Sequence, residues 1–287
     1  MVETASPTVW RRWLAFELVR LRKEAGLEQK DVAKALRCTV AKVSYYETAE
    51  RPVVLRDLDE VLLPLFKVPK SQWPDYIDAA KHSRTKGWWE SYSEIVPSWF
   101  SLYVGLEQGA NQVQTYAAQA VPGLLQTSDY VHALLRRGTT ERTDDEIEQM
   151  ATVRLARRAV LEREPDPLRL WAVLDEAVLR RLVGGREVMR GQLEHLVKMA
   201  GKPKITIQVL PFDRGAHPGV IGPFTVIGFA WSGDPGVAYV EHRAGGFYLE
   251  QPHEIEAHEV AFAHLSALAL APDESVTFIE RLAEEYR

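Results

Sequence analysis

Cysteine is all but missing from this chain. Cys38 is the only one, which rules out an internal disulfide framework or a cysteine-rich zinc site and fits a reducing compartment. No stretch approaches the roughly 20 consecutive apolar residues that a membrane helix needs. The start, MVETASPTVWRRW, has no apolar run behind a basic head, so no secretory signal is expected and a cytoplasmic protein is. An overall excess of positive charge is missing too. The net charge is −5, which argues against a protein that coats nucleic acid along its whole surface, because neutralising phosphates needs a positive face. A phosphate-cradling glycine loop ahead of a helix and a G-x-S-x-G elbow are likewise absent. What is present is a chain of 287 residues, 46% hydrophobic and 26% charged. Its length and composition suit an ordinary globular protein of about two domains.

The charge is unevenly placed. Residues 1–86 hold 16 Lys and Arg against 12 Asp and Glu, whereas residues 87–287 hold 19 against 28. Between Trp10 and Pro52 ten basic residues face six acidic ones. That small segment can meet an anion, and the remainder repels one.

In the basic segment Leu14, Leu18 and Leu21 recur at helical spacing until Gly26. EQKDVAKAL then forms a short second helix with Val32, Ala33 and Leu36 on one face. Thr39 caps a third helix, TVAKVSYYET, whose Val43 and Tyr46 point back at the second. A fourth helix, LRDLDEVLLPLF, follows Arg51 and Pro52. Small Ala33 lets the second and third helices cross closely. This is the layout of a helix-turn-helix.

The stretch LRKEAGLEQKDVAKALRCTVAKVSYYETAERP resembles the helix-turn-helix of the XRE (Cro/CI-like) bacterial regulators. In that family the helix after the turn lies in the DNA major groove. A ten-residue helix, about 15 Å long, suits a groove about 12 Å wide. The resemblance implies double-stranded DNA as a partner. It assigns Gln29 and the free amides beside it to a phosphate, Thr39, Val40, Ala41, Ser44 and Tyr45 to base edges or the flanking backbone, and Lys42 to a phosphate at the rim. The sequence departs from the family at three places. Glu28 stands where Ser is usual, and Arg37 and Ala49 stand where Gly is usual. Glycine adopts a left-handed conformation at less cost.

The expected domain layout is a helix-turn-helix over 10–66, a linker over 67–86 marked by Pro69 and Pro74, and an α+β domain with a mainly antiparallel sheet over 87–287. Six aromatics, Trp88, Trp89, Tyr92, Trp99, Phe100 and Tyr103, crowd the start of the second domain. Trp88, Trp89 and Trp99 are candidates for a ligand pocket or partner surface, although packing where the linker meets the domain explains most of the six. Farther on, NQVQTYAAQAV and LRLWAVLDE suit strands. SDYVHALLRRG, a capped helix from Thr143 to about Glu164, and REVMRGQLEHLVKMAG suit helices. KITIQVLPF, GPFTVIGFA and GVAYVEH alternate with period two, as in an antiparallel meander, and two helices follow.

The blocks WWESYSEIVPSWFSLYVGLE, VPGLLQTSDYVHALL, WAVLDEAVLRRLVGG, VLPFDRGAHPGVIGPFTV and YVEHRAGGFYLEQP resemble the carboxy-terminal domain of WhiJ-like XRE regulators of actinomycetes. The resemblance implies a transcriptional regulator, often encoded beside a small acidic partner protein in the manner of an antitoxin-like pair. It assigns no activity to the second domain. Chemistry in the residues themselves is sparse. His253, His258 and His264 lie in HEIEAHEVAFAH, but a zinc-peptidase H-E-x-x-H needs histidine where Ala257 stands. Asp213 and His217, in DRGAHPG, together with Glu241, form the one candidate acid–base or ligand-binding group, and a structural hydrogen bond or surface charge is the commoner role for such a pair. No metal, no cofactor and no catalysis are therefore expected. The reading that follows is a homodimeric, sequence-specific DNA-binding regulator whose second domain binds a partner protein or a small-molecule effector. The rivals are an interaction module on a scaffold helix-turn-helix, and an enzyme or ligand receptor with a vestigial DNA-binding head.

Overall fold

The computed structural model describes residues 6–138, 142–231 and 233–287, and the chain divides into two compact units, Met1–Ser91 and Tyr92–Arg287. In the first, Ser6 opens helix α1 (Pro7–Glu24) by accepting a hydrogen bond from the Val9 amide at 3.2 Å. The helix therefore begins about two turns ahead of the periodicity that starts at Leu14. Helices α2 (Gln29–Ala35) and α3 (Val40–Glu47) follow. Next come α4 (Leu55–Asp57) and α5 (Leu63–Leu65), joined by a π turn, Leu58–Leu62. Leu14, Leu18, Val32, Ala33, Val43 and Tyr46 meet in one core.

The segment read as a linker carries helix α6 (Trp73–His82), which belongs to this first core. Tyr76 packs on Trp13 with ring centroids 5.4 Å apart, and its hydroxyl donates to Glu17 at 2.9 Å. Trp10 stacks on His82 at 5.6 Å. Pro74 does not oppose the helix because it lies in the first turn, where its missing N–H has no intrahelical partner to lose.

The second unit opens with α7 (Ser98–Gly109) and is built on a six-stranded sheet: β1 (Gln112–Ala117), β2 (Arg169–Asp175), β3 (Ile205–Leu210), β4 (Phe224–Gly228), β5 (Val237–His242) and β6 (Gly245–Leu249). The strand order is β3-β2-β1-β4-β5-β6. Two of the five pairings are parallel and three antiparallel, so the α+β class with a mainly antiparallel sheet holds. The meander, however, is β4-β5-β6. The KITIQVLPF strand lies at the far edge, parallel to β2 with Leu170 opposite Ile205. The helical crossover between β2 and β3 returns the chain in the same direction. It consists of α10 (Glu176–Arg180) and α11 (Arg186–Ala200), as α8 (Ser128–Gly138) and α9 (Asp144–Ala156) do between β1 and β2.

Thr143 and Glu146 cap α9 reciprocally, at 2.8 and 3.3 Å, but the helix tightens into a 3-10 turn at Arg157–Leu161 and ends short of Glu164. On one face of the sheet Ile255, Phe262 and Leu265 of α12 (Pro252–Leu268) pack on Tyr116, Val173, Phe224 and Ala238. A last helix, α13 (Pro272–Glu285), lies against α11 and β3. No helix among the described residues is long and apolar enough to cross a membrane.

Candidate nucleic-acid interface

The turn between α2 and α3 is built as a small-residue crossing. Ala33 is buried, and its carbonyl accepts from the Cys38 amide at 3.0 Å. Arg37 takes the left-handed φ of +51° that closes the turn, the position at which glycine was the expected residue. Thr39 then accepts from the Lys42 amide at 3.4 Å and starts α3. Val43 and Tyr46 face inward and are buried. That turns Val40, Ala41, Ser44 and Tyr45 outward together, since positions i, i+1, i+4 and i+5 share a helix face. Thr39, Val40 and Ala41 are exposed, Ser44 and Tyr45 half-buried. Arg51 lies 4.8 Å above the Tyr45 ring.

The polar residues flanking this face are already engaged within the chain. Glu47 receives Arg22 through two bonds, 2.6 and 2.9 Å, and the Gln29 side-chain amide at 2.9 Å. This ties the amino end of α2 to the carboxyl end of α3, and the bond to Glu47 holds the Arg22 pKa above the usual arginine value. Lys42 pairs with Asp57 at 2.6 Å. The same carboxylate oxygen accepts from the Tyr46 hydroxyl at 2.7 Å. The hydrogen bond to Asp57 raises the Lys42 pKa. Glu28 pairs with Lys30 at 2.6 Å, and its amide donates to Asp31 at 2.9 Å, the half of a capping box in which the N3 side chain reaches back to the N-cap amide. Lys34 and Arg37 are exposed, and among the described residues no carboxylate pairs with either.

The second unit distributes its candidate residues differently from the grouping read in sequence. The carboxylate facing His217 is Asp175, 3.8 Å from Nε2. His217 Nδ1 accepts from the Gly219 amide at 3.2 Å, which places the ring proton on Nε2. The Tyr116 hydroxyl donates to Asp175 at 3.2 Å. Gly219 lies flat on the Tyr116 ring, and a Cβ there would fall 2.3 Å from it. Asp213 is exposed, 3.8 Å from Arg214, and Glu241 accepts from the Tyr239 hydroxyl at 3.2 Å. Asp213, His217 and Glu241 thus do not form one group.

Among the aromatics, Trp89 is buried edge-on against Trp88, at 5.8 Å in the first unit. Trp99 belongs to the second unit, edge-on to Phe100 at 5.7 Å, and its carbonyl accepts from the Tyr248 hydroxyl.

Sequence reasoning missed the central feature of this unit. Glu107 of α7 and Arg157 are both buried and joined by two bonds of 2.7 Å. The guanidinium lies 5.1 Å from the Phe100 ring centre and 5.2 Å from that of Tyr103. Gly123 passes so close to Arg157 that a Cβ would meet it at 3.0 Å. Buried Gln192 pins the same loop, accepting from the Thr127 amide and donating to the Leu125 carbonyl, each at 2.7 Å. Among the described residues no group of three or more histidine, cysteine or acidic side chains is arranged to hold a metal.

Two family models match these units. Residues 13–65 match the family model of a helix-turn-helix domain, and residues 100–281 match that of a domain of unknown function (DUF5753). No curated protein and no solved structure matches the chain.

Proposed function

This chain belongs to the DUF5753 family and carries a helix-turn-helix domain ahead of that domain, and from that premise we propose that it is a sequence-specific DNA-binding transcriptional regulator of the XRE type rather than an enzyme. The observation that carries the reading is the outward face of α3. Val40, Ala41, Ser44 and Tyr45 stand together at the end of a capped helix whose opposite side is anchored by Val43 and Tyr46. Such a face suits the major groove. Val40 and Ala41 offer methyl contacts to thymine, and Ser44 offers a hydroxyl to a base edge. Lys34 and Arg37 supply charge for the backbone, which positions the helix without reading sequence.

A single helix reads too few base pairs for useful discrimination, so a homodimer on half-sites about 34 Å apart is the expected working form. The second domain is where a partner protein or a small-molecule effector would act, in the manner of the WhiJ-like regulators of actinomycetes, with the whole operating in the cytoplasm. The direct test is Ala41→Glu in the full chain. A carboxylate on the reading face should abolish binding to a selected duplex while leaving thermal stability unchanged. Undiminished binding by that variant would refute major-groove reading by α3.

A further inference from the structure

The resemblance assigns Lys42 to a DNA phosphate, yet its ammonium lies 2.6 Å from Asp57. We propose that Asp57 is an affinity-setting residue of the DNA interface, an internal carboxylate that competes with DNA phosphate for Lys42. The inference rests on the reading of α3 as the DNA-binding helix.

Three observations make the pair more than a surface ion pair. Asp57 is held in place, because the oxygen that meets Lys42 also accepts from Tyr46 at 2.7 Å, and Tyr46 is a buried anchor of α3. Lys42 is held on the same side, 5.5 Å from the Tyr46 ring centre. The pair is also reachable, since the Lys42 side chain is 39% exposed and that of Asp57 19%. An incoming phosphate can therefore take the lysine, but only by displacing a carboxylate that stays behind as a like charge. The other cations near the turn differ in this respect. Arg22 is committed to the partly buried Glu47 and Lys30 meets the exposed Glu28, whereas among the described residues Lys34 and Arg37 meet no carboxylate. Lys42 is thus the cation whose availability one fixed acidic residue decides. An exposed pair is worth a factor of roughly 1.5 to 5 in an equilibrium, and each phosphate neutralised steepens the dependence of log K on log salt by about 0.9.

The test uses the full chain and one duplex probe, with affinity measured across a salt series. Asp57→Asn keeps an acceptor for Tyr46 while removing the charge, and thermal unfolding checks that the fold is retained. The expected result is binding about fivefold tighter at low salt, with a slope steeper by about 0.9. Asp57→Glu, which retains the charge, should stay near the starting values. Lys42→Ala should weaken binding in both backgrounds, and by more in the Asp57→Asn background than in the starting protein, a coupling read from the double-mutant cycle. Tighter binding with that coupling supports the proposal. Unchanged or weaker binding by Asp57→Asn, including the loss expected if Asp57 merely positioned Lys42 for phosphate, overturns it. A gain that is undiminished in the Lys42→Ala background also overturns it. If neither the starting protein nor Asp57→Asn bound duplex at all, the DNA-binding reading would fall and this inference with it, an outcome distinct from binding with equal slopes.

Discussion

Arg37 and Ala49 hold φ at +51° and +59° just past the ends of α2 and α3, in the place where helices commonly close on glycine. An L side chain in that conformation costs about 1–2 kcal/mol, part of which glycine gives back through its freer unfolded state. Arg37→Gly should therefore raise stability by roughly 1 kcal/mol in urea unfolding. Because Arg37 meets no carboxylate among the described residues, the same change should also flatten the salt slope of DNA binding by about 0.9. These two positions were legible as departures from a glycine pattern. Lys67, at +55° after α5, was not, because nothing in its neighbourhood sets an expectation.

His195 makes a second prediction at this scale. Burial, aided by Arg158, Lys198 and Lys202, pushes its pKa down to about 4 from 6.5, and its buried Nε2 has no hydrogen-bond partner among the described residues. As pH falls below 6.5 the unfolded chain takes up the proton before the folded one does, so stability should decline between about pH 6.5 and pH 4. Melting temperature followed across that window should fall more for the starting protein than for His195→Leu.

Helices and strands were readable where a local rule decides them. Thr39 opens α3 and Thr143 opens α9 because each side chain can satisfy a free amide within one turn. Strand β6 was not readable, because Gly245 and Gly246 look like turn residues. Their actual cause is tertiary. Gly246 lies against the Tyr239 ring, where a Cβ would fall 2.4 Å from Cε2. The direction of β3 was likewise invisible to a period-two pattern, which is the same for parallel and antiparallel neighbours.

Glu107 and Arg157 lie 50 residues apart, and each alone reads as a solvated charge, so only the fold reveals them as a buried pair. Removing one partner of such a pair typically costs about 3–5 kcal/mol, because the other stays buried and uncompensated. Arg157→Met should show a loss of that size in chemical unfolding. The double variant Glu107→Gln, Arg157→Met should recover a substantial part of it.

For the whole molecule, the modest net charge conceals a division between a basic head and an acidic body. The head is less free than its composition suggests, because Arg22, Lys30 and Lys42 already meet carboxylates of the chain. Weak binding by a lone head follows, and with it the expectation of a dimer, which sedimentation of the full chain should show. The site as one outward face of α3 was legible in sequence, because helical spacing alone turns Val40, Ala41, Ser44 and Tyr45 to one side. Its electrostatics were not, because Asp57 and Glu47 reach Lys42 and Gln29 only after folding.

The central claim is that α3 reads duplex DNA. Selection of bound duplexes from a random-sequence pool by the full-length protein tests it most directly. The account predicts enrichment of a motif with two related half-sites about one helical turn apart, bound with an affinity that falls as salt rises. A pool that returns no enriched motif, or binding that is insensitive to salt, would contradict it.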